Sequence, residues 1–174
     1  DGSTLGVHEA EWGNVGHLIG WEHWMPLARA TMHNQGEAIH VAAWPTVRDT
    51  YSIASRHYAF AGRCFVLAAG TVLHRNALLD GLERCGGNPE AQSLIEAMPD
   101  EKLQFGGSMI IAPTADMLAE AGSHDEIIHA ELDLDLIGQG LASLDTDGHY
   151  ARHDVFELRV NTAAQAGVIF DDQN

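Results

Sequence analysis

The chain has 174 residues, 45% hydrophobic and 20% charged, which suits one globular domain with a sizeable core and excludes a disordered chain. A formal net charge of −16 and a pI near 4.8 disfavour phosphate backbones and anionic lipid surfaces, so no nucleic-acid and no membrane partner is expected. No apolar run reaches the length of a membrane span, no basic-then-apolar leader opens the chain, and Cys64 and Cys85 make no disulfide framework; the expectation is a cytoplasmic protein with reduced thiols.

Ser3 to Glu9 alternates loosely and reads as a strand, and Trp12-Gly13-Asn14 turns the chain into a second strand, Val15 to Ile19. Pro26 opens a helix that ends at Gly36, a residue suited to positive φ after a helix. Ala38 to Ala43 is a short apolar run of buried-strand type, closed by Trp44-Pro45. Asp49 or Thr50 caps a helix with Tyr51, Ala54, Tyr58 and Ala61 on one face, and Gly62 ends it. Cys64 to Ala69 is another buried strand, expected beside Ala38–Ala43 in the sheet centre. Short buried strands joined by helices predict a layered α/β fold.

Residues 75–107 read as a surface excursion: a helix over Asn76–Arg84, a break at Gly86-Gly87, and a second short helix capped by Asn88 with Pro89 at its first position. Ser108–Ala112 and Met117–Ala121 form a hairpin around Thr114-Ala115-Asp116. Glu126–Leu132 and Val155–Val160 read as strands, with a short helix starting at Asp133 or Asp135. The domain is expected to span 1–161, with a loose tail over 162–174.

The richest stretch is Gly16 to Arg29, where a short strand runs through a corner at Gly20-Trp21-Glu22-His23 into the Pro26 helix. A strand–corner–helix exposes one side chain above a sheet and aims backbone N–H groups at it, a geometry suited to a nucleophile. Gly16-x-x-x-Gly20-Trp21-Glu22-His23-x-x-Pro26-Leu27 resembles the nitrilase family of thiol-dependent carbon–nitrogen hydrolases, whose pattern has cysteine where Gly20 stands. The resemblance includes Asp1-Gly2-Ser3-Thr4-Leu5, Gln35-Gly36-Glu37-x-Ile39-His40-Val41-Ala42-x-Trp44-Pro45, Gly107-Ser108-x-Ile110-Ile111-x-Pro113 and Gly148-His149-Tyr150-x-Arg152-x-Asp154-Val155-Phe156. Residues 21–26 look like the nitrile-hydrolysing branch. Family members carry glycine at the place of Ala115, so a strained turn is expected there.

The resemblance implies part of a four-layer α-β-β-α sandwich. The implied reaction is addition of a cysteine thiolate to a nitrile carbon, release of ammonia, and hydrolysis to the acid, with no cofactor. The family's glutamate base and lysine donor lie upstream of the motif that begins at Asp1, so the chain looks like the C-terminal part of such an enzyme. Without the cysteine it is expected to be inactive alone. Gly20 marks the nucleophile position, the backbone N–H of Trp21 holds the substrate nitrogen, and Glu22 either orients the site or caps the following helix. His23, Trp44 and Pro45 are assigned to substrate binding by resemblance; as bare features, His23 reads more often as a hydrogen-bonded structural group and Trp44 more often as core. Lys102, the only lysine, reads as a surface charge, and Cys64 as an inert buried thiol. The spacing of the eleven histidines matches no metal site. The expected partners are a small-molecule nitrile and further copies of the chain, in a homo-oligomer of possible spiral form, paired through the two helices after the corner. The alternatives are a pseudoenzyme or assembly subunit with the same fold, and a small-molecule binding module.

Overall fold

The computed structural model describes residues 1–99, 102–165 and 167. Its centre is a six-stranded sheet built from β1 (His8–Ala10), β2 (Gly13–Ile19), β3 (Glu37–Trp44), β4 (Phe65–Gly70), β7 (Met109–Ile111) and β8 (Met117–Glu120), in that spatial order. β2, β3 and β4 are parallel; β1, β7 and β8 are antiparallel to their neighbours. The two apolar runs read as central strands are neighbours, with Ile39 opposite Phe65 and Ala43 opposite Ala69. The crossover helices are α1 (Pro26–His33) between β2 and β3, and α2 (Thr50–Gly62) between β3 and β4.

Both helices cover one face of the sheet. Leu18, Ala42, Trp44, Val66, Ala68, Met109 and Ile111 point to that side and pack on Met32 of α1 and on Ala54, Tyr58 and Ala59 of α2. The alternate residues form a thinner second cluster of Ile39, Phe65 and Ala112, with Leu67 beside them. It is covered by Leu132 and by Leu136 and Ile137 of α5 (Asp135–Ser143). Toward β2 that second face is open, and Ile19 is 67% exposed.

β5 (Val72–His74) and β6 (Lys102–Phe105) make a separate two-stranded ribbon, with α3 (Arg75–Arg84) and α4 (Pro89–Glu96) between them. Neither helix has a buried residue. Asn88 caps α4 by accepting from the Ala91 N–H at 2.9 Å, as its sequence suggests. Ala115 has a φ of +69° in the β7–β8 turn, so the expected strain is present.

Three expected strands are corrected. Ser3–Glu9 begins as a 3-10 turn over Gly2–Thr4, because the Asp1 carboxylate accepts from the Ser3 N–H; strand geometry starts only at His8. Glu126–Leu132 is irregular: the Glu126 carboxylate accepts from the Gly122 N–H, and Ile127 is 94% exposed. Val155–Val160 also has no ladder, and its apolar side chains are partly exposed. Leu158 and Val160 instead line a groove with Leu5, Trp24 and Met25. Alternation sets which way side chains point, but a strand also needs a partner to take its N–H and C=O groups. Of the tail read over 162–174, residues 166 and 168–174 lie outside the described residues.

Candidate active site

The parallel strands end at one rim, the edge where open α/β sheets hold ligands. Ile19, Ala43 and Ala69 are in register, so Gly20, Trp44-Pro45 and Gly70 follow side by side. The loops there are tied together. The Thr71 N–H donates to Pro45 O at 3.2 Å, the Val47 N–H to Gly106 O at 2.7 Å, and the Gly70 N–H to Ser108 Oγ at 2.9 Å.

The corner itself is a 3-10 turn over Gly20–Trp24. Gly20 has a φ of +51°, the left-handed region, and a Cβ built on it meets nothing within 4 Å. A side chain at residue 20 would therefore stand in open space above the rim, on a backbone that costs an L-residue roughly 1–2 kcal/mol. Glu22 Oε2 accepts from the Ile19 N–H at 2.8 Å, so the carboxylate closes the turn on the strand before it. Trp21 is 76% exposed, and Pro45 also lies exposed on the rim.

His23 and Trp44 turn the other way, into the helix-covered face. His23 is fully buried and stacks at 4.5 Å on the ring of Trp44, whose Nε1–H donates to Ser55 Oγ at 3.0 Å. From His23 a buried line of hydrogen bonds runs inward. Its Nδ1 meets Gly20 O at 2.8 Å and its Nε2 meets His40 Nε2 at 3.1 Å. His40 Nδ1 meets Glu37 Oε1 at 2.7 Å, and the Tyr58 hydroxyl donates to Glu37 Oε2 at 2.5 Å. Burial lowers the His23 pKa to about 4, and burial beside Glu37 pushes the Tyr58 hydroxyl up.

Glu37 and His40 reach this line through a bulge. Asn14 pairs with Glu37 but Val15 pairs with Ile39, so Ala38 is an extra residue in β3. In a regular strand residues three apart point to opposite faces; one extra residue brings both to the same side. Gly16 makes the space, since a Cβ there would collide with the Glu37 carboxylate. Sequence reasoning missed Glu37, His40 and Tyr58 as neighbours of the corner. The available signal was a glutamate and a histidine, three residues apart, in an otherwise apolar strand.

The carbon–nitrogen hydrolase family model matches residues 1–140. The chain belongs to the carbon–nitrogen hydrolase family. An aliphatic nitrilase of Sinorhizobium fredii is 37% identical over 97% of this chain and 52% of its own length. A nitrilase of Bradyrhizobium diazoefficiens is 38% identical over 97% of this chain and 50% of its own. The chain thus spans about half the length of these curated relatives. Among solved structures, a carbon–nitrogen hydrolase from Helicobacter pylori G27 superposes with a TM-score of 0.61 at 20% identity, over 83% of this chain and 48% of that one. The Caenorhabditis elegans NitFhit protein gives 0.64 at 18%, over 89% and 33%. The fold is accordingly part of the family's α-β-β-α sandwich, of which α1, α2 and the six-stranded sheet make one helical and one sheet layer.

This carbon–nitrogen hydrolase chain has no thiol at the corner. Cys64 is fully buried in the main core, and burial raises its pKa well above the usual thiol value. Cys85 is exposed and follows α3. Lys102 sits in the β5–β6 ribbon, where its Nζ donates to Ser123 O. Among the described residues no cluster of His, Cys, Asp and Glu could hold a metal ion, and no helix is long and apolar enough to cross a membrane.

Proposed function

We propose that this chain carries the nucleophile corner of a nitrile hydrolase, with residue 20 as the nucleophile position. The observation that supports the reading is the left-handed Gly20 at the end of a parallel strand, with open space where a side chain would stand. The nitrilase names of the relatives favour nitriles as the substrate class.

With cysteine at residue 20, the thiol adds across the nitrile triple bond: sulfur bonds carbon, nitrogen takes the proton, and a thioimidate forms. One water adds and ammonia leaves, giving a thioester; a second water releases the carboxylic acid and restores the thiol. The Trp21 backbone N–H is the proposed donor to the substrate nitrogen, and Glu22 holds the turn that presents it. Pro45 lines the rim, while His23 and Trp44 support it from below. The base and the cationic donor that this chemistry needs are proposed to lie outside these 174 residues. Pairing of copies through α1 and α2 is proposed as the mode of assembly. As it stands, Gly20 leaves the chain inactive, a property that also fits the second reading, a pseudoenzyme of the same fold.

Ammonia release from an aromatic or arylaliphatic nitrile tests this. Four samples are compared: the chain, its Gly20→Cys form, and each fused to the half of the Sinorhizobium fredii relative that it does not cover. Only the fused Gly20→Cys form should turn over. Ammonia from the unmodified chain rules out the mechanism, and an inactive but folded fused Gly20→Cys form favours the pseudoenzyme.

A further inference from the structure

The buried line from Gly20 to Tyr58 has four hydrogen bonds, and each needs one proton. Gly20 O can only accept, so His23 must donate from Nδ1. Neutral His23 then has no proton on Nε2, and the 3.1 Å contact must be filled by His40 Nε2–H. His40 Nδ1 faces a carboxylate oxygen at 2.7 Å, and that contact needs a proton of its own. The Tyr58 hydroxyl supplies the last, and no other acceptor for it is present among the described residues. Two neutral histidines, a neutral tyrosine and an ionised glutamate bring three protons to four bonds.

We propose that His23, His40, Glu37 and Tyr58 form a net-neutral chain holding this fourth proton between His40 and Glu37, and that the chain positions residue 20 by fixing the Gly20 carbonyl. Burial argues the same way. Glu37 is 4% exposed and His40 fully buried, and an unpaired carboxylate there would carry a large desolvation cost. The proton makes the cluster neutral, either as an imidazolium–carboxylate pair or as an imidazole beside a carboxylic acid. The groups packed around it are consistent: His33, whose ring lies 4.5 Å from Tyr58, has a pKa lowered to about 4 by burial and brings no charge. Cys64 stays a thiol. The positioning role rests on residue 20 being the nucleophile position; the proton count rests on the distances alone.

The test is the nitrogen-15 spectrum of the histidine-labelled full chain at neutral pH, with His23 assigned by substitution. His23 is expected as the neutral Nδ1–H tautomer, with His40 protonated at Nε2 or at both nitrogens. Glu37→Gln should keep the His23 signature, since its amide NH2 can donate to His40 and its oxygen can accept from Tyr58. Glu37→Leu removes both contacts and should destroy the signature; if that variant does not fold, the wild-type spectrum still decides. His23 carrying its proton on Nε2 in the wild type overturns the proposal, as does loss of the Nδ1–H signature in a folded Glu37→Gln.

Iodoacetamide alkylation of the Gly20→Cys thiol reads the positioning. Glu37→Gln should leave the rate within about 2-fold, and Glu37→Leu should change it on the order of 10-fold, as for other displaced reacting groups. An unaltered rate in a folded Glu37→Leu overturns the positioning role. A thiol that resists alkylation beside an intact His23 signature removes the nucleophile reading and leaves the proton count supported.

Discussion

The two faces of the sheet are built from alternate residues of the same strands and end in different states. The face under α1 and α2 is closed: Leu18, Ala42, Trp44 and Val66 are at most 4% exposed, and His23, His40, Glu37 and Tyr58 are bonded in one line, while His33 Nε2 is buried without a hydrogen-bond partner among the described residues. The opposite face has an apolar cluster under α5, but toward β2 it leaves Ile19 largely exposed. In an α-β-β-α sandwich that open face is where the second sheet packs. The corner at Gly20 therefore rests on a closed face on one side and stands beside an open one on the other. On the proposed reading, the nucleophile corner folds on the closed face while the rest of the active site is still to be supplied on the open one.

The largest expected effect follows from this. The unmodified chain should fall on the order of 10⁶ below a thiol-bearing enzyme, the scale of losing a covalent nucleophile. Gly20→Cys alone should not recover turnover, because the proposed base and cationic donor are still not supplied over the open face. Recovery by that single substitution, read as ammonia release, would break the contrast between the faces.

Next comes a pair of neighbours. Leu18→Ala, on the closed face, should cost about 2–5 kcal/mol, and Ile19→Ala, on the open face, less than about 1 kcal/mol. Urea unfolding of the two variants measures the difference directly, and similar losses would mean the faces are equally closed.

The closed face should also make the fold acid-sensitive. His23 and His33 are held neutral with pKa values near 4, below the ordinary 6.5. Between those values the unfolded chain takes up protons that the folded chain refuses, so stability is full above about pH 6.5 and falls as pH drops toward 4. Each histidine contributes at most on the order of 3 kcal/mol. Thermal melts from pH 7.5 to 4.5 should show a falling Tm, and a flat profile would mean these rings are hydrated.

The smallest effect lies far from the corner. Ala115→Gly relieves a left-handed alanine in the β7–β8 turn and should stabilise by about 0.5–1 kcal/mol, visible as a small rise in Tm.

What could be read from the sequence was local. Pro26 marks the start of α1, Asn88 the cap of α4, and Tyr58 with Ala54 the buried face of α2; each depends on residues within a turn or two. The strained Ala115 turn was visible only by resemblance. The missed features depend on distant partners. Glu126–Leu132 and Val155–Val160 have strand composition but no neighbouring strand to pair with. The line from His23 to Tyr58 joins three elements, and its middle depends on a bulge that alternation conceals.

That bulge sets a rule of length. Ala38 is the residue that changes the parity of β3, and everything before it is in phase with the corner only while it is present. Deleting one residue between Gly36 and Ile39 would turn Glu37 toward the open face and leave His40 without its carboxylate. The spacing in this segment cannot vary, so relatives that share the buried line should align through residues 36–40 without a gap.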